Sequence, residues 1–489
     1  MATMIYNVED KPSWGKTFIF AFQQLLSIMA ATIAVTIIAG FGDHMNAAIM
    51  GAGFGTLAYI LITKKKSPVI LSSNFAFIGA LAMAHLNYGF LGIMLGGLFT
   101  GLVYVILSII IKMVGTAWID KLLPAIIIGP VVALIGLTLA PNAVHNLTTA
   151  NGYYYVESAA GATVYPFNLL ALLCGLVTFF IIIICSSQRR SKNIQMTPFL
   201  FGILAGYLLA SIFSIFGYTM DIPYMKIIDY SPLIDNFSSI KFTSFLDYPR
   251  FTIYEVINEI ATNNVSLTGI GVAEIALAFI PVSIVSFSEH IADHKNLGSI
   301  IERDLLNGEP GLSRTLMGNG VGTIAGTFLG ACPITTYGES VGCVAITKNA
   351  SIRTIIVTAI MCIALSFVTP LIRVLQTIPN CVMGGICLAL YGFIASSGLK
   401  MLNGIDISGG KNLYTVSVIL VAGIGALALQ IPYEFALLEP GSNLYVAAKF
   451  IEISPIAFAL ILGIITYRLA NRIERYYDKK ENKSNEDQQ

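Results

Sequence analysis

Charge is what this sequence has least of. Only 11% of its 489 residues are Asp, Glu, Lys or Arg, against 56% hydrophobic, with a mean hydropathy of +0.77. Soluble domains carry about 25% charged residues, so a soluble globular chain is excluded. The period-two alternation of a transmembrane barrel is also missing. Runs such as "LGGLFTGLVYVILSIIIK" and "LLALLCGLVTFFIIIIC" are continuous, so the spans are helices. No cleavable leader is expected: "MATMIYNVEDKPSWGK" is polar and no small-residue cleavage site follows it. The first span then serves as the targeting element. A net charge of +1 offers nothing to nucleic acid. The seven cysteines stand singly in apolar runs, without the spacing of a disulfide framework or a metal site. They read as small core residues.

What is there is a series of fourteen apolar segments. They lie near 17–40, 46–63, 68–85, 89–111, 122–141, 167–186, 198–217, 267–294, 315–331, 334–347, 354–372, 380–398, 413–430 and 443–467. The segments at 68–85 and 334–347 are polar and broken by Pro and Gly. An even count puts both ends on one side. Lys64, Lys65, Lys66, Lys112, Lys121, Arg189, Arg190 and Lys192 then share that side with Lys295, Arg303, Arg314, Lys348, Arg353, Lys400 and Lys411. With the two terminal segments they make 23 of the 28 basic residues. Lys226, Lys241, Arg250, Arg373 and Lys449 face the other way. This is a positive-inside pattern, which places both termini in the cytoplasm. Adding or removing one span would scramble it.

A repeat lies inside the chain. "GAGFGTLA" at 51–58 returns as "GNGVGTIA" at 318–325, with five of eight positions identical. Each copy precedes a weak segment, "PVILSSNFAFIG" (68–79) and "PITTYGESVG" (333–342). In both, a hydroxyl pair, Ser72-Ser73 or Thr335-Thr336, stands seven residues before a glycine, Gly79 or Gly342. The offset is seven spans, an odd number, so the second copy is inverted. A 7+7 inverted repeat with matching interrupted spans is a transporter architecture, and the interruptions mark the binding site. Broken backbone at membrane depth survives where it lines a cavity or is buried in protein. Gly318, Gly322, Gly326 and Gly330 recur every four residues, which is a helix-packing stripe and not a dinucleotide fingerprint.

Ionisable residues inside spans are functional candidates by default. "SFSEHIADHK" (286–295) closes the eighth segment. Glu289 and Asp293 are i and i+4, on one helix face; His290 and His294 form a second pair about 100° round. Glu289 lies about 9 Å deeper than Lys295 at ~1.5 Å per residue. A solvated helix end is the plain alternative for both acids. For the two histidines a headgroup or loop role is the expectation. E-H-x-x-D-H is not the zinc motif H-E-x-x-H, and no metal is expected. Glu339, beside Tyr337 and Gly338 in the second broken segment, is the next candidate. Glu274 is a third, about four turns before Glu289.

These residues carry a resemblance. "SEHIADH" with "TTYGESVGCVAITK" resembles the nucleobase–ascorbate transporter family, also called nucleobase:cation symporter-2, in its bacterial uracil and xanthine permease type. The family signature [Q/E/P]-N-x-G-x-x-x-x-T-[R/K/G] reads here Glu339-Ser340-Val341-Gly342 and then Thr347-Lys348. Ser340 stands where the family has Asn. The likeness runs through "SSNFAF", "PAIIIGPVVALIGLTLA" and "TIPNCVMGGICLALYG". It implies a core domain (15–115 and 267–372), a gate domain (116–217 and 373–470), an outer loop region (218–266) and a cytoplasmic tail (471–489). Segments three and ten would each be a short strand followed by a helix. The substrate would meet Glu289, Glu339, the backbone N–H of Phe75 and Gly338, and the side chains of Tyr337 and Ser73. A homodimer through the gate domain is implied too. Two further departures stand out. Gln23-Gln24 replaces Gln-His in span one, and Asp293 replaces a His of the uracil type. An acid at that place is closer to xanthine and urate transporters, so both substrate classes stay open.

The chemistry of such a site is consistent with a nucleobase. Carboxylates accept from ring N–H groups, backbone N–H groups donate to ring carbonyls, and Phe75 with Tyr337 would cover the ring faces. Glu289 and Asp293, one turn apart, can hold one proton between them as a coupled pair. The expected activity is therefore nucleobase import by proton symport at the cytoplasmic membrane. No cofactor is needed beyond the coupling ion, a proton before sodium, and the partners are the small substrate and the lipid bilayer. Uracil is first choice, with xanthine or urate as the alternative. A sulfate/anion transporter of the same fold would want a basic residue in the broken segments, and neither contains one. A membrane enzyme would want a metal motif or a triad, and a passive channel would ignore a proton gradient.

Overall fold

A computed structural model describes residues 4–486 except 117, 120–123, 150–155, 158–162, 165–166, 189–193, 195–197, 263–266, 331, 426–429, 438–444 and 453–454. Of the expected cytoplasmic cations, Lys121, Arg189, Arg190 and Lys192 fall outside the described residues. Each of the fourteen apolar segments meets a helical element. Among the described residues, eight helical stretches are long and apolar enough to cross a membrane, and Ile352–Leu365 and Gly410–Gly425 are shorter apolar helices. Segments three and four run together as the helix Ile78–Val114, interrupted at Gly89 with φ 57° and ψ −149°. A side chain there would collide with the Glu259 carboxylate. Glu259, on the short helix Thr252–Ala261, accepts from the N–H groups of Phe90 (2.9 Å) and Leu91 (3.1 Å). It thereby satisfies donors that a restarting helix leaves unpaired.

Two compact units divide the chain. The first comprises Met1–Met113, Ala140–Leu267 and Ser286–Leu390, the second Val114–Leu139, Thr268–Val285 and Tyr391–Gln489. The centre of the first unit is the crossing of helices Met45–Ile62 and Leu312–Gly330, which carry the two repeat octapeptides. Their glycines make the crossing close. A Cβ at Gly322 would lie 2.8 Å from the Gly55 carbonyl oxygen, and one at Gly326 would lie 3.1 Å from that of Gly51. The glycine stripe is therefore packing, as its spacing predicts. Trp14–Ile38 and Ile352–Leu365 pack beside this pair. In the second unit Gly410–Gly425 packs on Pro455–Glu486.

The broken segments meet at a two-stranded antiparallel ladder. Leu71–Ser73 pairs with Ile334–Thr336 in the register Leu71↔Thr336, Ser72↔Thr335, Ser73↔Ile334. The shared threonine of each octapeptide pins the strand of its own half. Thr56 donates to the Leu71 carbonyl (3.3 Å) and accepts from its N–H (3.0 Å). Thr323 donates to the Ile334 carbonyl at 2.5 Å. The repeat thus supplies both the close helix crossing and the anchor that holds each interrupted backbone.

At one end of the first unit the N-terminal segment is strapped to residues 348–352. Ala350 N–H donates to the Tyr6 carbonyl (2.9 Å) and Ile352 N–H to that of Val8 (3.0 Å). Arg303 grips Glu9 in a bidentate pair at 2.7 and 2.6 Å. Lys66 lies 4.0 Å from Glu9. The N-terminal segment and the loops after segments two, eight and ten therefore gather together, as loops after even-numbered spans should. One boundary differs from expectation. Residues 445–452 belong to a hairpin, Gln430–Leu437 with Tyr445–Glu452, and the last helix begins only at Pro455. The run "YVAAKFIE" is rich in β-branched and aromatic residues, and Pro455 at the first helical turn sets the boundary.

Candidate functional site

The strand ladder places two helix starts side by side. After Leu71–Ser73 comes Asn74, which caps the short turn Phe75–Phe77 by accepting from the Ala76 N–H at 2.9 Å. After Ile334–Thr336 comes Tyr337, and then the helix Gly338–Thr347 with Glu339 in its first turn. Phe75 and Gly338 hold the first positions of these turns, where no carbonyl one turn back receives the N–H. Opposite them runs the long helix Gly269–Ile301 with Glu289 and Asp293 on one face.

The structure brings most of the sequence candidates together. Glu289 and Glu339 lie within electrostatic range of each other, and Asp293 within range of both. The Tyr337 side chain lies within electrostatic range of the Glu339 and Glu289 carboxylates. Phe75 and Tyr337 rings stand 6.4 Å apart at 46°. A Cβ at Gly338 would come 3.5 Å from Asp293 Oδ1, so the glycine leaves room beside that acid. Glu289 keeps exposed surface and Asp293 and Glu339 are half-buried, while Phe287 and His290 next to them are fully buried. The acids thus line accessible space and do not end in packed core. Ser73 is buried in the ladder, opposite Ile334 and near the Cys332 thiol. Glu274 is buried farther back on the same long helix.

Several residues of this constellation were not anticipated. Asn74 Nδ2 donates to the Ser286 hydroxyl and lies 3.4 Å from Glu289 Oε2. The Thr336 hydroxyl donates to Asp293 Oδ2 at 2.9 Å. Each acid is therefore steadied by a polar residue of one broken segment, Glu289 by the first and Asp293 by the second. Ser340, the departure from the family signature, accepts from the Ile70 N–H at 3.2 Å. Its carbonyl accepts from Gln24 Nε2 at 3.2 Å. One signal was available: Ser286 is three residues before Glu289, hence on its face. Asn74 and Thr336 needed the ladder register.

The histidines correct the sequence expectation. Neither sits at a headgroup or loop position: His290 is 0% and His294 1% exposed. His294 Nδ1 donates to the His290 carbonyl (2.8 Å), and Nε2, left as the acceptor, meets the hydroxyls of Tyr59 at 2.7 Å and Ser67 at 3.3 Å. His290 Nε2 meets the Thr315 hydroxyl at 3.2 Å. The two rings tie the long helix to the glycine-packed pair. Among the described residues no group of three His, Cys, Asp or Glu is arranged to hold a metal ion.

Comparison with known proteins agrees with this picture. A xanthine–uracil family model described as "Permease family" matches residues 15–431. The uracil permease of Bacillus caldolyticus is 34% identical over 88% of this chain and 90% of its own. That of Bacillus subtilis (strain 168) is 34% identical over 94% and 93%, and that of Escherichia coli (strain K12) 31% over 88% and 90%. Among solved structures, the transmembrane domain of a cyanobacterial bicarbonate transporter, BicA, superposes with a TM-score of 0.54 at 14% identity, over 83% of this chain and 95% of that one. The inward-facing murine Solute Carrier 26 family member A9 anion transporter gives 0.59 at 10% identity, over 95% and 69%. Those two show the shared 7+7 fold. The chain is a multi-pass membrane transporter, not an enzyme, and it belongs to the xanthine–uracil permease family, the nucleobase:cation symporter-2 group.

Proposed function

We propose that the protein imports a nucleobase, uracil first, by proton symport across the cytoplasmic membrane of a bacterium. Alternating access would run between a core (15–115 and 267–372) and a gate (116–217 and 373–470), with both termini in the cytoplasm. The observation that carries this reading is the convergence of Glu289 and Glu339 on the paired helix starts of Phe75 and Gly338. Uracil presents ring N–H donors flanked by carbonyl acceptors. Two carboxylates opposite unpaired backbone N–H groups complement that edge, and Phe75 and Tyr337 bound its faces. The names of the similar permeases support uracil before other bases. Neither broken segment contains a basic residue, which disfavours an inorganic anion despite the shared fold.

Asp293 is the proposed proton partner of Glu289. Carboxylates this close titrate as a unit, and Thr336 holds Asp293 one turn from the substrate anchor. The same acid keeps xanthine or urate as the second reading, because it offers one more acceptor to a base with more N–H groups. The test is calorimetric. Uracil should bind the wild-type chain tightly and lose that tight binding in Glu289→Gln, whereas undiminished tight binding by Glu289→Gln removes the site assignment. Running xanthine and urate beside uracil decides between the two substrate readings.

A further inference from the structure

Away from the carboxylates, the first unit holds a polar cavity of about 260 Å³. It lies where the turn Gly42–His44, residues 247–250 and the helix Thr369–Gln376 come together. Its frame is fixed by backbone pairing. Leu246 and Val368 form an antiparallel bridge. The Asp247 N–H donates to the Phe367 carbonyl at 3.0 Å and the Thr369 N–H to that of Phe245 at 3.1 Å. Asp43 and Asp247 line it together with Arg250 and Arg373, so its wall has no net formal charge. Arg373 Nη1 donates to Gln376 Oε1 at 2.9 Å, and Gln376 Nε2 donates to Asp43 Oδ1 at 3.1 Å. This row fixes the guanidinium, yet the Arg373 Nε–H is buried without a partner. A buried unpaired donor is costly, so the guanidinium is held at the wall with less than its full set of partners.

We propose that this cavity is a second, outer binding site for a neutral single-ring molecule carrying alternating carbonyl and N–H groups. The inference rests on the nucleobase reading given above. Free anions are repelled by the two aspartates and cations by the two arginines. A neutral ring satisfies both sets at once, its carbonyls accepting from the Arg250 and Arg373 guanidinium groups and its N–H donating to Asp43. Size selects as well. Pockets for drug-sized ligands run from ~300 to 1,000 Å³, so a cavity this small takes one ring and not a nucleoside. The exposed Tyr248 at its rim supplies an aromatic face. The distribution of Lys and Arg puts this end of the unit outside the cell, so an incoming base meets it before the carboxylates.

The experiment is equilibrium binding of labelled uracil to the purified full chain. Wild type is expected to show two classes of site, Glu289→Gln to keep the weaker one, and Arg373→Gln in that background to remove it. Wild-type binding that disappears entirely in Glu289→Gln overturns the outer site and leaves the nucleobase reading standing. No uracil binding by wild type overturns both. Tyr248→Ala and Arg250→Gln, at exposed positions that leave the fold intact, give an independent readout in the otherwise wild-type chain. Each is expected to raise the half-saturation of uptake about fivefold, the loss of one hydrogen bond or ring contact. An unchanged half-saturation in both contradicts the outer site.

Discussion

Residue by residue, the site separates holding from carrying. Glu289 and Glu339 are the proposed substrate anchors, and Asn74 and Thr336 orient the acids beside them. Asn74→Ala would leave Ser286 and Glu289 without their shared partner. Removing one hydrogen bond to a charged group costs about 1.5–3 kcal/mol, so uracil affinity should drop by roughly tenfold or more in a binding titration. Asp293→Asn should flatten the pH dependence of uptake more than it weakens binding. Unchanged uptake with an unchanged pH profile would exclude Asp293 as the coupling group. The acids were legible in the sequence because ionisable groups inside an apolar run demand a reason. Their supports were not, since Asn74 and Thr336 become neighbours of Glu289 and Asp293 only through the pairing of two strands far apart in the chain. The histidines were misplaced for a related reason. Their proximity to Lys295 pointed to the membrane surface, while the partners that make burial tolerable, Tyr59, Ser67 and Thr315, come from distant parts of the chain.

At the scale of elements, two short devices hold the frame. The glycine crossing tolerates no larger side chain. Gly322→Leu would drive methyl groups into the Gly55 carbonyl and the Leu71 side chain. Overpacking of this kind costs about 1–3 kcal/mol, readable as a lowered unfolding temperature in detergent with loss of uptake. At the break in Ile78–Val114, Glu259→Ala would orphan the Phe90 and Leu91 N–H groups, and the same measurement should show a smaller loss. The Glu9–Arg303 clasp gives a pH-dependent prediction. The hydrogen-bonded guanidinium of Arg303 holds the Glu9 carboxyl below its ordinary range. A depressed acid adds stability above its unfolded value and loses it as pH falls through its folded value. Amide exchange in residues 5–10 should therefore quicken only in acid, below the usual carboxylate range. Both partners are substantially exposed, so Glu9→Gln should cost at most about 1 kcal/mol. The octapeptide repeat made the crossing and the strand breaks legible. The hairpin before Pro455 was not, because an eight-residue run with six apolar positions reads equally well as the start of a span.

For the whole molecule, seven spans inverted onto seven bring two interrupted helices together, and the solved anion and bicarbonate transporters share that plan with different cargo. The fold therefore leaves the cargo undecided, and the assignment rests on the acids at the ladder. The proposed orientation, with both termini in the cytoplasm, rests on the distribution of Lys and Arg. Uracil uptake into proteoliposomes under an imposed pH gradient tests the central claim most directly. Accumulation above the outside concentration is expected when the exterior of an outward-oriented preparation is acid, collapsing with a protonophore and absent in Glu289→Gln. Equilibration without accumulation, indifferent to the gradient, would contradict a nucleobase–proton symporter built on these carboxylates.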